Sequence, residues 1–411
     1  MAATTGTNNG IIKQQNLEAV KLMLYRHAPI SRAEIAAQLG LTPATITNIT
    51  ADLIAQGTVE ELKDETPAAT AARGTGRKPI LLDLRADWHT VLGVSLGRDA
   101  TRFSLCDMRG GVLAQGTFEV MSDDYGVMLH QLQGILSLIH QQYAALWDKL
   151  LAIGLSIPGI VNCHTGRVKN HGSERLSWRN QPLADEISRF TGLPVRIENN
   201  VRARSCAIGL FYPELLEKET SFALCHVSFG IACPFVLSNR MFRGEDAAAG
   251  EIGKMVLVPK DPTPCDFARP GSLEALASVQ AMLRQCRQAF ANGETTLLTE
   301  WKKDPQDWRL PDLLQAQRQN DPLVCRVLED AMFYVGIALA NIVDIINPHL
   351  VLLNGEVFTN PQNAQAVERS LLAHAFLPDD DPLRVVPVDM SEYAGSIGAV
   401  ACCIEKYFLR G

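Results

Sequence analysis

The sequence predicts an α/β protein that carries a small helical domain at its N-terminus. From His89 onward, apolar runs rich in Val, Ile and Leu alternate with helical stretches, a pattern typical of α/β folds. Roughly the first 60 residues instead show closely spaced helical segments with capping residues between them. At 411 residues the chain is too long for one ordinary core, so two to three domains are expected.

The composition is that of a globular protein. Hydrophobic residues make up 47% of the chain and charged residues 20%. No stretch approaches ~20 uninterrupted apolar residues, and the polar segment Met1 to Gly10 has no apolar signal region. Ten cysteines without a tight spacing pattern suit a reducing compartment, and Cys402 and Cys403 are predicted to be a buried helical pair. We therefore expect a cytoplasmic protein with no membrane partner.

The charge is unevenly distributed along the chain. The net charge is −7, which argues against a protein coated in nucleic acid. Residues 1–85, however, carry nine Lys and Arg against eight Asp and Glu, whereas the remainder carries 29 against 37. A near-neutral N-terminal segment on an acidic body permits local contact with DNA, and such contact is expected to be salt-sensitive.

The first two helices of the N-terminal segment have clear sequence signals. An apolar face predicts a helix over Ile11–Tyr25. Ser31 then suits an N-cap, and Glu34 three residues later completes a capping box that begins a short helix over Arg32–Gln38. Gly40 can adopt a positive φ, so it predicts the turn that ends this helix.

A third helix is predicted to begin at Thr42, a capping residue, and Pro43, which suits the first helical position. This helix is predicted to end at about Gln56, before Gly57. Two helices joined by a short glycine-containing turn form a helix-turn-helix, whose second helix enters the major groove of DNA. The alternative is a small three-helix bundle with no role on DNA.

Small polar side chains on and near the third helix could approach base edges in a major groove. The predicted DNA-contacting residues of the helix-turn-helix are Ser31, Arg32, Thr42, Ala44, Thr45, Thr47 and Asn48. The opposite face of the helix is apolar and predicted to be buried, and it contains Ile46, Ile49, Leu53 and Ile54.

A wing is predicted to follow the helix-turn-helix. Short strands are expected over Val59–Leu62 and Pro79–Leu84, with a loop rich in small residues between them. That loop ends in Arg77 and Lys78, which suit contact with phosphates or with the minor groove. The alternative for the loop is a simple flexible linker.

The body of the chain contains the alternating elements of an α/β fold. The predicted strands, two of them with the turn that follows, are Val91–Gly97, Thr101–Asp107, Leu151–Gly159, Ala223–Val227 and His349–Gly355. A buried helix is predicted over Asp330–Ile346, and a closing helix lies within Met390–Phe408, packed on the body or used in dimerisation. Residues 282–321 are polar and indicate short helices or an insertion.

Several short motifs occur in a fixed order along the chain. They are Ser31-Arg32-Ala33-Glu34-Ile35-Ala36, Gly76-Arg77-Lys78-Pro79, Ile157-Pro158-Gly159-Ile160-Val161, Glu198-Asn199-Asn200, Ala249-Gly250-Glu251-Ile252-Gly253, Ser272-Leu273-Glu274 and Gly395-Ser396-Ile397-Gly398-Ala399. Together they resemble the ROK family (repressors, open reading frames and kinases), in particular its regulators with an N-terminal winged helix-turn-helix. The resemblance covers essentially the whole chain.

The resemblance implies an actin-like ATPase fold, in which two α/β lobes hold a sugar in the cleft between them. It implies a winged helix-turn-helix over residues 1–85 and a first lobe over 86–200, which part of the C-terminal helix closes. The second lobe and that helix would occupy residues 201–411.

Three departures from the family's kinases indicate that this chain does not phosphorylate its ligand. Asn200 stands where the kinases have the aspartate that removes a proton from the sugar hydroxyl, and a neutral amide cannot accept that proton near pH 7. Ser95 replaces an aspartate of the first phosphate loop, and Asp99 follows in that loop. The second loop, residues 229–234, has lost glycines that let backbone N–H groups close on phosphate. We expect no catalytic residue, no kinase activity and no cofactor.

The family's structural zinc site also differs in this chain. A tetrahedral zinc site needs four good ligands. Of the four ligands that the resemblance implies, only Cys265 is present. Lys254 and Phe267 stand at two of the ligand positions, and neither side chain can replace a zinc ligand there. We therefore expect no metal, with Phe267 packed where the metal held the loop in relatives.

Residues that would face a sugar are better preserved. By resemblance, Asn199, Glu251 and Glu274 stand where the family binds sugar hydroxyls, and Asn200 and Lys254 replace two further contacts. Carboxylates and amides suit hydroxyl recognition because they supply acceptors and donors. Lys254 either neutralises the neighbouring carboxylates or contacts an acidic group of the ligand. Glu251 could instead be a helix-cap residue.

The resulting hypothesis is a sugar-responsive transcriptional regulator, a repressor of carbohydrate-metabolism genes. It would bind an operator in double-stranded DNA as a homodimer or homotetramer, because two recognition helices must reach half-sites about one turn apart. Its effector would be a small sugar or sugar derivative. The alternatives are a sugar kinase with a fused DNA-binding domain, and a constitutive DNA-binding protein whose cleft is a relic.

Overall fold

The computed structural model describes residues 9–62, 79–170, 176–216, 219–261, 263, 265–377 and 383–410. The chain divides into two units, of which the first contains residues up to Pro213 and again from Tyr393, and the second contains Glu214–Glu392. The three-domain division with boundaries at residues 85 and 200 stays a prediction.

Helices and strands are mixed throughout the described residues, as the predicted α/β class requires. The helices are α1 (Asn9–His27), α2 (Arg32–Leu39), α3 (Pro43–Ala55), α4 (Tyr125–Gln142), α5 (Ala144–Trp147), α6 (Leu183–Thr191), α7 (Asn200–Phe211), α8 (Pro213–Leu216), α9 (Leu273–Ala277), α10 (Val279–Ala291), α11 (Leu298–Trp301), α12 (Leu310–Arg318), α13 (Pro322–Ile346), α14 (Pro361–His374) and α15 (Ala394–Ile404).

The strands within the described ranges form four sheets. They are β1 (Ile30–Ser31), β2 (Val59–Glu61), β3 (Leu81–Leu84), β4 (Thr90–Leu96), β5 (Thr101–Asp107), β6 (Val112–Phe118), β7 (Leu150–Ile157), β8 (Ile160–Asn162), β9 (Arg167–Asn170), β10 (Val195–Asn199), β11 (Phe222–Val227), β12 (Ile231–Ala232), β13 (Phe235–Leu237), β14 (Arg240–Phe242), β15 (Leu350–Asn354) and β16 (Arg384–Pro387). In the first unit the orders are β1-β3-β2, β10-β7-β4-β5-β6 and β8-β9. In the second unit the order is β14-β13-β11-β15-β16, with β12 paired to β11.

The N-terminal helices form where their capping signals predict. The Ser31 hydroxyl accepts from the Glu34 amide at 3.2 Å, and the Glu34 carboxylate accepts from the Ser31 amide at 2.9 Å, which completes the capping box. Gly40 ends α2 with φ of 62°. Thr42 caps α3 by accepting from the Thr45 amide at 3.2 Å. The predicted helix-turn-helix is therefore confirmed, with boundaries within two residues of those expected.

The wing strands are also present. β2 and β3 are antiparallel, with Val59 opposite Leu84, and β1 completes a three-stranded sheet on the other side of β3. The loop between the wing strands, with Arg77 and Lys78, lies outside the described residues.

The core of the first unit is organised by α15, whose backbone lies directly against its neighbours. A methyl group added at Gly93 of β4 would lie 1.9 Å from the Ser396 carbonyl oxygen, and one at Gly154 of β7 would lie 2.3 Å from that of Ala399. A methyl group at Gly398 would lie 2.4 Å from the backbone of Ala203 in α7. Since no side chain fits at these contacts, α15 holds the sheet and α7 in one fixed arrangement.

The N-terminal segment shares one hydrophobic cluster with the rest of the first unit. Val20 and Leu24 of α1 belong to the same cluster as Cys403, Phe408 and Leu409 at the end of the chain. Each of these side chains is almost fully buried. Cys402 and Cys403 are buried within α15, as predicted. The winged helix-turn-helix is thus packed on the remainder of the first unit.

In the second unit, α13 begins earlier than the sequence analysis expected. It starts at Pro322 and not at Asp330, because Asp321 caps it by accepting from the Val324 amide at 2.9 Å. The other Asp321 oxygen accepts from the Leu297 amide at 2.6 Å. Residues 282–321 contain short helices, as predicted, and fully buried Trp308 anchors them by donating to the Lys302 carbonyl at 3.1 Å.

Among the described residues, no helix is long and apolar enough to cross a membrane.

Replacing Gly398 by alanine is expected to destabilise the first unit by about 1–3 kcal/mol, because overpacking forces backbone shifts. The matched control is Gly134→Ala in α4, where an added methyl group meets nothing within 4 Å. That change should stabilise the helix by about 0.5–1 kcal/mol. Denaturant unfolding of the whole chain measures both, and equal effects would contradict the close contact of α15 with α7.

Candidate functional site

The candidate DNA-binding surface is the exposed face of α3. Ile46, Ile49 and Leu53 are buried, as predicted. The opposite side chains point to solvent, and those predicted to contact DNA on this exposed face are Thr42, Ala44, Thr47 and Asn48, with Thr45 half-buried beside them. A helix with a buried apolar face and an exposed, small, polar face can enter a major groove closely.

The polar side chains of α3 differ in whether they are already hydrogen-bonded within the protein or are available to contact DNA. Thr47 donates its hydroxyl to the Pro43 carbonyl at 2.8 Å, and the Thr42 and Thr45 hydroxyls bond each other at 2.9 Å. The Asn48 side chain makes no hydrogen bond to another described residue. An asparagine amide can bond bidentately to adenine, so Asn48 is the side chain on α3 best suited to read a base.

Two of the predicted DNA-contacting residues make hydrogen bonds within the winged helix-turn-helix. Ser31 is only 3% exposed, and its hydroxyl belongs to the capping box of α2. Its hydrogen bonds, first the one from its backbone amide, hold the pKa of Glu34 below the usual value. Arg32 donates to the Thr50 hydroxyl at 3.0 Å and pairs with Glu61 at 2.8 Å. DNA contact by Ser31 and Arg32 stays a prediction.

Asn199, a candidate sugar-binding residue, is buried and acts as the N-cap of α7. Its side-chain oxygen accepts from the amides of Val201 at 2.9 Å and Arg202 at 3.1 Å. Its side-chain nitrogen donates to the Gly159 carbonyl at 2.8 Å. Both ends of the amide are thus used within the first unit, and they join α7 to the loop after β7.

Asn200, the next residue, has a different environment. It is the first residue of α7 and is half-buried. Its backbone carbonyl accepts from Arg204 at 3.2 Å, but its side-chain amide makes no hydrogen bond to a described residue. Of the two adjacent asparagines, Asn200 therefore has the side chain available to a ligand.

A buried charge cluster beneath α7 was not recognised in the sequence. Glu198 is 1% exposed and lies 3.8 Å from the Arg196 guanidinium and 3.9 Å from that of Arg202. Its carboxylate also accepts from the Asn199 amide at 3.1 Å. The spacing of four residues between Glu198 and Arg202 was a visible signal, because it puts the two on one face when a helix begins there.

The turn that the resemblance assigns to the first phosphate loop is closed by its own hydrogen bonds. Asp99 pairs with Arg102 at 2.7 Å, and this contact holds the pKa of Asp99 below its usual value. Burial lowers the pKa of nearby Arg204 to about 10. The Gly97 amide donates to the Ala100 carbonyl at 3.0 Å. A carboxylate and this closed turn thus occupy the segment that is expected to hold phosphate in kinases.

Residues 229–234, which the resemblance assigns to the second phosphate loop, are bonded to other parts of the second unit. The Cys233 amide donates to the Gly250 carbonyl at 2.7 Å, and Pro234 has no amide hydrogen to donate. A methyl group added at Gly230 would lie 2.7 Å from the Glu274 carboxylate. The loop is therefore packed beside one of the candidate sugar-binding residues.

The second unit brings Glu274 and Lys254 together. Glu274 lies in the first turn of α9 and forms an ion pair with Lys254, which ends a short 3-10 helix over Ile252–Lys254. The Lys254 side chain is 63% exposed, whereas that of Glu274 is 12% exposed. Glu251 precedes the 3-10 helix, but its side chain makes no capping hydrogen bond. Lys254 thus neutralises Glu274, and ligand contact by these three residues stays a prediction.

The segment of the expected zinc pattern shows no metal-binding geometry in its described part. No group of three or more His, Cys, Asp or Glu within the described ranges could hold a metal ion. The Arg284 guanidinium lies over the Phe267 ring, 5.5 Å from its centroid. The absence of zinc stays a prediction.

The chain belongs to the ROK family, which its residues 91–406 match. It is 26% identical over 407 residues to a xylose repressor of Caldicellulosiruptor bescii, with 97% of each chain covered. It is 24% identical over 405 residues to the DNA-binding transcriptional dual regulator NagC of Escherichia coli, with 98% of this chain and 95% of that protein covered.

Solved structures give the same picture of the fold. A ROK family transcriptional regulator, described as a homolog of the E. coli MLC protein, matches with a TM-score of 0.82, 25% identity and coverage of 97% and 98%. A ROK hexokinase from Thermus thermophilus matches with a TM-score of 0.60 and 25% identity, over 76% of this chain and 97% of that chain. The predicted fold class, a winged helix-turn-helix followed by the actin-like fold of ROK sugar kinases, is confirmed.

The two adjacent asparagines are expected to differ in their effect on stability. Asn199→Ala removes the cap of α7 and should cost about 1 kcal/mol or more of unfolding free energy. Asn200→Ala removes no bond to a described residue and should change it by less than about 0.5 kcal/mol. Chemical denaturation of both variants measures this, and an equal loss would contradict the assignment of Asn199 as the structural residue.

Proposed function

We propose that this chain is a sugar-responsive transcriptional repressor of carbohydrate-metabolism genes that does not phosphorylate its ligand. The observation that carries the proposal is the exposed polar face of α3, held in a capped helix-turn-helix with a paired wing. Its full-length relatives include proteins named as a xylose repressor and as the regulator NagC. Their match covers nearly the whole chain, so it includes the winged helix-turn-helix of residues 1–85, the DNA-binding segment.

The absence of kinase activity is supported by the site residues. Asn200 offers an amide where a general base must accept a proton. Asp99 puts a carboxylate, paired with Arg102, in the first altered loop, and a carboxylate offers phosphate no hydrogen-bond donor. The Cys233 amide in the second loop is already bonded to Gly250. Three separate parts of phosphoryl transfer are therefore altered together.

Recognition of a sugar is assigned to side chains that can bond hydroxyl groups. Asn200 offers a side-chain amide with no bond to a described residue, and Glu274 offers a carboxylate that is largely buried and paired with Lys254. We include Glu251 and Asn199 by resemblance, with Asn199 acting mainly through the start of α7. A ligand changes DNA binding only if it favours one arrangement of the protein over another.

The repressor is expected to act in the cytoplasm as a homodimer or homotetramer. A helix-turn-helix dimer reads two half-sites about one helical turn apart, so two copies of α3 are required for a palindromic operator. Contacts of Arg77 and Lys78 with the DNA backbone would add salt-dependent affinity.

Asn48→Ala is expected to weaken binding to an operator duplex selected by the wild-type protein from a random pool. If Asn48 reads a base, the loss should be about 1–3 kcal/mol per site, or roughly 5- to 150-fold. Binding to a duplex of unrelated sequence should change much less. Fluorescence anisotropy at fixed salt concentration measures both affinities.

The control for this variant is Asn292→Ala, the same change at an exposed asparagine of the second unit. It should leave both affinities unchanged. Equal losses by Asn48→Ala on the selected and the unrelated duplex would remove Asn48 from base recognition.

The chain is expected to form no sugar phosphate when incubated with ATP, Mg²⁺ and a panel of hexoses. Asn200→Asp should be equally inactive, because both phosphate loops remain altered. Coupled measurement of ADP release with each sugar tests this. Sugar-dependent turnover by the wild-type chain would overturn the proposal in favour of a kinase with a fused DNA-binding domain.

A second candidate function is a constitutive DNA-binding protein whose sugar site is a relic. The observation that favours it is that candidate ligand residues are bonded within the protein. The Asn199 side chain bonds backbone groups of Gly159, Val201 and Arg202, and Lys254 pairs with Glu274. The two candidates differ in one respect, since only the first predicts that a sugar changes the affinity for the operator.

A further inference from the structure

Helix α7 ends with a carbonyl group that its own helix cannot satisfy. The Gly209 carbonyl would accept from the amide of the residue four positions later, but that residue is Pro213, which has no amide hydrogen. The Tyr212 amide bonds the preceding carbonyl, that of Ile208, at 3.3 Å. Arg26 of α1 donates to the Gly209 carbonyl at 3.2 Å. A cation of the DNA-binding segment thus supplies the donor that proline removes from α7.

Helix α1 shows the same arrangement in the opposite direction. The residue four positions after Tyr25 is Pro29, so the Tyr25 carbonyl also lacks a helical donor. The Ala28 amide bonds the Leu24 carbonyl at 3.1 Å. Arg109, in the turn between β5 and β6, donates to the Tyr25 carbonyl at 3.2 Å. Here the body of the first unit supplies the donor to the DNA-binding segment.

The two arginines therefore donate across the same contact in opposite directions, Arg26 to the end of α7 and Arg109 to the end of α1. A cation at a helix C-terminus is favoured by the unsatisfied carbonyls and by the helix dipole. Arg109 also forms an ion pair with Asp83 of β3, so one guanidinium contacts both α1 and the wing strand. The ring of Phe211, the last residue of α7, lies within 2.7 Å of a methyl group added at Gly110, next to Arg109.

A third cation strengthens the same contact. Lys21 of α1 donates to the Phe408 carbonyl at 2.8 Å and lies 5.3 Å from the centroid of the Phe408 ring. Lys21 is 8% exposed, and burial lowers its pKa. A buried cation is stable only where hydrogen bonds compensate its lost hydration, so this contact fixes the position of α1 closely.

The other end of α7 carries the candidate ligand residues. Asn199 caps the helix and Asn200 begins it, whereas Gly209 near the other end accepts from Arg26 of the DNA-binding segment. Twelve helical residues span about 18 Å. Since α7 lies in backbone contact with α15 at Gly398, it is expected to move as one rigid element.

We propose that Arg26 and Arg109 are positioning residues that fix the orientation of the DNA-binding segment and couple it to α7. The proposal rests on the proposed function, because it concerns how the site on α7 reaches the recognition helix. Neither arginine contacts the ligand residues or the exposed face of α3 through the bonds described above. Their removal should change the position of α3 but not the side chains that α3 presents to DNA.

The test uses the full chain with Arg26→Gln, Arg109→Gln and the double change. Each variant keeps a polar side chain but loses the charged donor. Affinity for the duplex selected by the wild-type protein should fall at least 10-fold in each single variant, because the recognition helices of a dimer are no longer held at one spacing. Affinity for a duplex of unrelated sequence should fall less than 3-fold.

The matched control is Arg189→Gln. Arg189 is exposed on α6 and donates to the Asp185 carbonyl of its own helix at 3.3 Å, so the control loses the same charge without touching the DNA-binding segment. Arg26→Lys restores a charged donor and should recover most of the operator affinity. Recovery by lysine with an unchanged melting temperature separates positioning from loss of folding.

Hydrogen exchange adds a readout that does not require DNA. In Arg26→Gln and in Arg109→Gln, amides at the ends of both α1 and α7 should exchange faster than in Arg189→Gln, because both caps belong to one contact between the DNA-binding segment and the rest of the first unit. Operator affinity and exchange equal to those of Arg189→Gln would overturn the proposal. If the wild-type protein prefers no duplex over another, the proposed function fails, and the coupling proposal fails with it.

Discussion

The first unit depends on the backbone contact between α15 and the elements around it. Gly93 and Gly154 let α15 approach β4 and β7, and Gly398 lets it approach α7 at Ala203. Because these contacts have no room for a side chain, small rotations of α15 are resisted by hard-sphere repulsion. The same helix leads into the segment Glu405–Leu409, where the Phe408 carbonyl accepts a hydrogen bond from Lys21 of α1. The sheet, α7 and the DNA-binding segment are thereby held by one element.

That arrangement changes the expected relation between DNA binding and sugar recognition. A winged helix-turn-helix on a flexible tether could respond to a ligand only through oligomeric state or linker length. Here α1 shares a hydrophobic cluster with the C-terminal segment. Two backbone carbonyls that lack a helical donor because of a proline accept hydrogen bonds from Arg26 and Arg109 across the contact. A ligand that displaced the start of α7 at Asn200 would act on a helix whose other end bonds Arg26. Conversely, the ion pair of Lys254 with Glu274 lies wholly in the second unit.

The sequence predicted local features better than contacts between distant segments. The caps at Ser31 and Thr42 and the turn at Gly40 depend on neighbouring residues, so they could be predicted and are confirmed. The Asp321-Pro322 cap is equally local, but the apolar periodicity predicts a start at Asp330, which is later than the start at Pro322 in the structure. Asn199 was expected to bind sugar, yet only the fold shows that its amide bonds Gly159, forty positions away. The same holds for Arg26 and Arg109, whose acceptors are remote in sequence.

The most direct test of the account is the effect of sugars on operator affinity of the wild-type protein. A duplex selected from a random pool would be titrated at fixed salt with and without neutral sugars, amino sugars, sugar acids and sugar phosphates. The account predicts that one chemical class changes the affinity at least 10-fold, which corresponds to about 1.4 kcal/mol of coupling free energy. It also predicts that the others leave the affinity unchanged. Tight, selective DNA binding that no member of the panel alters would contradict a sugar-responsive repressor and favour a relic site.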